Sequence, residues 1–394
     1  MTPMMQQYFE IKNKYREYIL MYRLGDFYEM FFDDAKVASA ELELTLTGRD
    51  CGEDERAPMC GVPYHAVEGY IGKLVGRGYK VAICEQLEDP ALAKGIVKRD
   101  VIRMITPGTL TESSLLDEKK NNYICAVYVT KDALGAAFAD ISTGHVAATS
   151  FEGEHRMTQL IGELGAYAPR EVLVNTSSEE IRTAADFLSD RLSAVINQNE
   201  EARFAAEDAG RRVREHFVNL PGEFENPDNP ALRALGGLLS YVEETQKNDL
   251  GNLGALNYYQ NGQYLEIDIN TRRNLELCET MRRAEKKGTL LWVLDKTKTA
   301  AGARLLRKFI DQPLKNPYQA AVAELYERMM ERGELSSSLA GVLDLERLIT
   351  RIVYGTANAR DLRAVAQTAE KLPALRAQLA SFESEELAGI YEEL

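Results

Sequence analysis

The sequence predicts a multidomain chain, α/β through residue 250 and all-α over residues 251–394. Three observations carry this. Runs rich in aromatic and branched side chains alternate with helical patterns in the first part, as strands alternating with helices do. From Pro230 onward apolar residues recur mostly at helical spacing, with charge on the opposite face. At 394 residues the chain is also long for one domain, and two or three are expected. The pattern divides as a small mixed α/β unit over 1–108, a polar linker over 109–122, a second α/β unit over 123–250 and a helical segment over 251–394.

The first unit opens with Thr2-Pro3, a cap residue and a proline at the first helical position. Met4, Met5, Tyr8, Ile11 and Tyr15 then form one apolar stripe at helical spacing. Tyr18 to Arg23 is strand-like, and Asp33 or Asp34 is expected to cap a helix ending near Leu44. Gly48 to Gly52 is expected to be a loop. After an acidic stretch to Arg56, Ala57-Pro-Met-Cys-Gly-Val-Pro63 reads as a rigid loop presenting Met59 as an apolar tip. A helix from His65 to Arg77 stopped by Gly78 follows, then strands at Tyr79–Gln86 and Lys98–Ile105.

The second unit begins with three strands, Tyr123–Thr130, Gly135–Ile141 and His145–Ser150, joined by short Asp/Gly turns. A helix over His155–Leu164, a strand over Glu171–Asn175 and a helix over Glu179–Arg191 complete a ribonuclease H-like arrangement. Asp140 falls where such nucleases carry a catalytic carboxylate. That chemistry needs further carboxylates converging on metal ions, and no spacing here selects them. Beyond it, Ala231–Asn248 reads as a helix and Asn257–Asp268 as a short β excursion. Long amphipathic helices are expected from Thr271, including Leu343–Val353 and Arg360–Leu372. The chain stops at Tyr391-Glu-Glu-Leu394 inside a helical pattern, which suggests a truncated sequence.

Hydrophobic content of 45% and charged content of 27% are those of a soluble globular protein. No apolar run reaches the roughly 18 residues of a membrane span, and the N-terminus lacks signal-peptide features. Five dispersed cysteines without a Cys-x-x-Cys pair imply reduced thiols in the cytoplasm. A net charge of −14 argues against nonspecific coating of nucleic acid. Local basic surface is offered by Lys94–Arg103 and by Arg272–Lys308, although either is equally a solvated helix face.

One stretch points to a ligand: Leu24-Gly-Asp-Phe-Tyr-Glu-Met-Phe31. If the strand from Tyr18 runs on through position 29, Phe27 and Glu29 share a face, because strand side chains alternate. A ring beside a carboxylate suits a nucleobase: the ring stacks or wedges, and the carboxylate takes a hydrogen bond from a base edge. Alone, Phe-x-Glu is common by chance and is better described as a core ring and a solvated acid.

Several stretches together resemble the bacterial MutS mismatch-repair family. They are Thr2–Tyr8, Tyr22–Phe31, Pro58–Val67, Val81–Gln86, Ile105–Thr109, Asp140–Gly144, Thr271–Glu276 and Asp344–Arg347, in order and with the family's spacing. The resemblance implies a mismatch-binding domain, a connector and the first part of the core or lever helices. It implies that Phe27 stacks on a mispaired or unpaired base from the minor groove and that Glu29 hydrogen-bonds it. Arg49 becomes a candidate backbone contact, with Pro58 and Met59 in the same groove. Mismatched double-stranded DNA and MutL, met through the connector, are the implied partners. The full-length protein is implied to be a homodimer. No Gly-x-x-x-x-Gly-Lys-Ser/Thr occurs, so the family's ATPase, with its ATP and Mg, is expected elsewhere; no cofactor, metal or catalysis is expected in this chain. The alternatives are a structural or protein-interaction segment with little DNA binding of its own, and a metal-dependent nuclease using Asp140.

Overall fold

Residues 1–52, 56–88, 95–177, 179–198, 200–247, 250–260, 264–314 and 319–394 are described by the structure, a computed structural model. The first helix, α1 (Pro3–Lys12), starts at its proline, and the Thr2 side chain makes no cap bond. Strand β1 (Ile19–Leu24) does not run on through position 29 as expected. It turns at Gly25, whose φ of 56° is left-handed, and returns as β2 (Phe27–Phe31). Helix α2 (Phe32–Leu42) follows without a side-chain cap. Asp34 instead points inward, accepting from the Leu20 amide at 3.0 Å and the Lys12 ammonium at 2.9 Å.

Of the two segments expected to be loops, 48–52 begins in a strand, β3 (Thr47–Arg49), with 50–52 outside it, and the second is wholly strand, β4 (Ala57–Pro63). The prolines of β4 sit where a ladder tolerates them. Pro63 occupies the terminal pair with β2, and Pro58 lies one residue past the last one. Helix α3 (Val67–Gly76), β5 (Val81–Gln86) and β6 (Arg99–Ile105) complete a sheet ordered β3-β4-β2-β1-β5-β6. Helices α2 and α3, the latter through Leu74, cover one face over Met21, Tyr28, Met30 and Val81. On the other face lies α1, where the Tyr8 ring stands edge-on to Tyr22 and Phe31 at 5.6 and 5.1 Å.

The second sheet begins as a meander of β7 (Ile124–Val129), β8 (Ala133–Asp140) and β9 (His145–Glu152). Next come α4 (Arg156–Tyr167), β10 (Glu171–Val174), α5 (Glu179–Phe187), β11 (Val195–Asn197), α6 (Ala206–His216) and α7 (Pro230–Gln246). Asn248, expected to end that last helix, lies outside the described residues. The excursion expected over 257–268 appears as β12 (Ala255–Tyr258), and 261–263 lie outside the described residues. This strand pairs parallel to β9, so the sheet is ordered β11-β10-β7-β8-β9-β12. Helix α7 lies so close to β8 that a Cβ on Gly135 would meet the Pro230 carbonyl oxygen at 1.9 Å. Burial on both faces explains why β8 reads as a continuous apolar run.

The two sheets meet at a buried polar seam where a linker was expected to begin. Thr106, Thr109 and Thr111 are buried, and Glu171, fully buried, accepts hydrogen bonds from Thr106, Gly108, Asn197 and Tyr241. Lys80 reaches Asn197 at 2.6 Å and Lys247 reaches the Val101 carbonyl at 2.5 Å, which ties the first sheet to the second.

The expected long amphipathic helices are short ones. They are α8 (Ile269–Asn274), α9 (Leu290–Leu294), α10 (Ala300–Asp311), α11 (Gln319–Glu327), α12 (Met329–Leu339), α13 (Leu345–Val353), α14 (Ala359–Ala369), α15 (Leu372–Leu379) and α16 (Glu385–Glu393). Asn358 and Asp361 form a capping box that starts α14. Buried Arg304 anchors the segment, donating to Asp344 at 2.8 Å and to the Glu118 carbonyl at 2.8 Å. No helix among the described residues is long and apolar enough to cross a membrane.

Candidate nucleic-acid interface

The hairpin β1–β2 puts Phe27 and Glu29 on one face, as alternation along a strand requires. The face is that of α1, but α1 covers only its far part, and Phe27 remains 46% exposed at the open end. Tyr28, between them, points into the opposite core. Burial pushes its pKa up, so the phenol stays protonated and donates to Glu85. Arg23 stacks over the Tyr64 ring at 3.9 Å, and the Tyr64 amide donates to the Asp26 carbonyl at 2.9 Å. Together these contacts fix the turn from which Phe27 emerges.

Arg49 comes from β3, two strands away, on the same face. It forms an ion pair with Glu29, whose side chain is only 16% exposed. The residue opposite Glu29 on β4 is Gly61, where a Cβ would already lie 3.4 Å from the Glu29 Cγ, so the glycine gives the carboxylate its path across the sheet. Met59 shares this face, packed against the α1 core instead of forming an exposed tip. Pro58 alternates to the other face, so the structure does not bring it to Phe27. Phe27, Glu29, Arg49 and Met59 are thus gathered from three strands. The Arg49–Glu29 pair was not read from the sequence, because β3 itself was not.

The two expected basic surfaces are spent internally in part. Lys94 lies outside the described residues. Arg99 is buried and donates to the carbonyls of Arg23 and Val97, and Arg103 is paired with Glu112 at 2.5 Å. In the second region, Arg272 is paired with Asp311 at 2.6 Å and Lys286 with Asp295.

Asp140 is fully buried, and each of its carboxylate oxygens takes two donors. Oδ2 accepts from Asn121 at 2.7 Å and the Asn122 amide at 3.1 Å; Oδ1 accepts from the Ser142 hydroxyl at 2.7 Å and amide at 2.9 Å. It anchors the turn between β8 and β9, and its lone pairs are committed. No group of three His, Cys, Asp or Glu among the described residues is placed to hold a metal ion. Among the described residues, nothing converges on Asp140 in the way the nuclease alternative requires.

Comparison with known proteins agrees with this architecture. Residues 2–114 match the family model for MutS domain I, 122–254 that for MutS domain II and 270–393 that for MutS domain III. The chain is 47% identical over 399 residues to the DNA mismatch repair protein MutS of Acetivibrio thermocellus, covering 100% of this chain and 46% of that protein. The protein of the same name from Ruminiclostridium cellulolyticum is 47% identical over 398 residues, with coverage of 100% and 46%. The chain therefore spans just under half the length of these curated relatives. Three consecutive domain matches and similarity along the whole of this chain lead to one assignment: the chain belongs to the MutS family.

Proposed function

We propose that this chain recognises mispaired or unpaired bases in double-stranded DNA, with Phe27 wedging at the defect from the minor groove and Glu29 hydrogen-bonding the displaced base. The observation that carries the reading is an exposed ring at the open end of a central strand, with a carboxylate two residues along on the same face. Unstacking a base step costs a few kcal/mol, and less where pairing is already broken, so a wedge discriminates by deformability without reading base identity. Arg49 holds Glu29 in the free protein, and in this reading its partly exposed guanidinium, on the same face, contacts a backbone phosphate. No catalysis is assigned to this chain. In the longer protein, the same reading places an ATP- and Mg-dependent step outside these residues, MutL contact on the second α/β unit, and a homodimer.

The test is a titration of homoduplex, G·T and single-base-insertion duplexes at two salt concentrations. Preference for the two heteroduplexes is expected, and Phe27→Ala should abolish it. Base–aromatic stacking of roughly 1–3 kcal/mol sets the expected loss at about 5- to 150-fold. Equal affinity for all three duplexes would sink the recognition reading. A second reading, a structural and protein-interaction segment with little DNA binding, is favoured by the internal use of Arg99, Arg103 and Arg272. It predicts no saturable binding to any duplex.

A further inference from the structure

A cavity of about 950 Å³ opens between the second α/β unit and helices α8 and α10. Its described wall carries eight Lys and Arg side chains against four Asp and Glu, a local reversal in a chain of net charge −14. Three of the cations are held by carboxylates: Lys120 by Glu279 at 2.7 Å, Arg272 by Asp311 at 2.6 Å and Arg304 by Asp344 at 2.8 Å. Arg307 and Lys308, also on this wall, take part in no ion pair among the described residues.

Arg304 is neutralised by Asp344 and Glu346, and Arg307 shares Asp311, one turn on, with Arg272, which leaves the wall with an excess of positive charge. Arg304, Arg307 and Lys308 lie on one side of α10 at i, i+3 and i+4, the spacing at which like charges repel along a helix. Lys308 is largely removed from water, and burial lowers its pKa. Its ammonium hydrogen-bonds the ring of His145, with Nζ 3.2 Å from Nε2. Burial first, then the Lys308 charge, depresses His145 to about 4, so the neutral imidazole accepts from the ammonium and supplies no counter-charge. Arg272, on the same wall, has its Nε buried and without a partner among the described residues.

We propose that this cavity binds a small oligophosphate, held chiefly by Arg307 and Lys308. Guanidinium and ammonium groups together match phosphate oxygens in both geometry and charge, and the volume admits a chain of two or three phosphates with a nucleoside attached. Because the wall is contributed by both the second α/β unit and the helical segment, the ligand would also fasten one to the other. This inference is independent of the DNA reading.

The experiment is calorimetric titration of the whole chain, without DNA, using inorganic triphosphate and UTP at about 0.15 M salt. Saturable one-site binding is expected. The double substitution Arg307→Ala/Lys308→Ala should weaken it by roughly a hundred-fold, two charge-assisted contacts being lost. Arg211→Ala, on the exposed side of α6, should leave it unchanged. Equal affinity for the two probes assigns recognition to the phosphate chain, and tighter UTP binding adds the nucleoside; either outcome supports the site. Circular dichroism confirms folding of the double variant, and Lys308→Gln, which keeps the stem, should weaken binding about ten-fold. Absence of saturable binding, or equal binding by the folded double variant, would overturn the proposal.

Discussion

Glu171 offers the sharpest test of how the two sheets are joined. It is fully buried, and its carboxylate accepts from the Gly108 amide at 3.1 Å, Asn197 at 2.8 Å, Tyr241 at 2.6 Å and the Thr106 hydroxyl. Glu171→Ala removes the acceptor from three buried donors and from the half-buried Asn197 amide, and of these the Thr106 hydroxyl still has Thr109 at 2.9 Å. A buried donor left unpaired costs about 1–3 kcal/mol, and relaxation or entering water recovers part of the sum. The net loss should be about 3–5 kcal/mol, the sum over the orphaned neutral donors less what relaxation recovers. Little slack is available, because a Cβ on Gly108 would lie 2.9 Å from both Glu171 Cβ and Ile124 Cβ. Urea unfolding followed by far-ultraviolet circular dichroism should show a lower first midpoint, and hydrogen exchange should quicken at Gly108 and Tyr241. Because the chain has several units, the first transition is the quantity to compare. An unchanged midpoint together with unchanged exchange would refute the claim that this carboxylate holds the seam.

Three further outcomes are expected. Gly236→Ala should destabilise by about 1–3 kcal/mol, read from the urea midpoint, since its Cβ would fall 2.4 Å from Cα and Cβ of Ala209 where α7 meets α6; a midpoint equal to wild type would mean the helices separate freely. His145, lowered from its ordinary 6.5 to about 4, binds protons more readily when unfolded. Stability should therefore be fully present above about pH 6.5 and fall as pH drops toward 4, by up to about 3 kcal/mol, with His145→Asn flattening the profile; a wild-type profile equally flat over that window would count against it. Arg49→Ala should weaken homoduplex and heteroduplex binding alike and reduce the slope of log affinity against log salt by about one, whereas a loss confined to heteroduplex would make Arg49 a holder of Glu29 alone.

Much of the fold was legible where one physical signal dominated. Pro3 at a helix start, Gly78 with its φ of 89° after α3, and the alternating or continuous apolar runs of β5, β7 and β8 each carried their own evidence. The misreadings have equally local causes. Gly25-Asp26 is a two-residue hairpin signal, but the apolar residues on both sides continue the same pattern and hide it. Two prolines argued against a strand at Ala57–Pro63, and only the register explains why neither has to supply a ladder amide. At three residues, β3 is too short for periodicity to register, so Arg49 could not be placed beside Glu29 in advance. The shared face of Phe27 and Glu29 survived the error about the strand, because alternation holds within β2 alone. Asp34 was misassigned for a different reason. An acidic residue at a helix start ordinarily caps it, and here tertiary contacts with Lys12 and Leu20 claim the side chain.

The position of β2 within its sheet has a mechanical corollary. The strand carrying Phe27 is hydrogen-bonded on both sides, to β1 and to β4, and neither neighbour is an edge. A force pushing the ring back along its strand would stretch both ladders in parallel, many bonds sharing the load at once. A ring mounted on an edge hairpin would instead peel its strand away one bond at a time. Whatever presses against Phe27 therefore meets a stiff support, and the compliance of the contact has to lie in the partner.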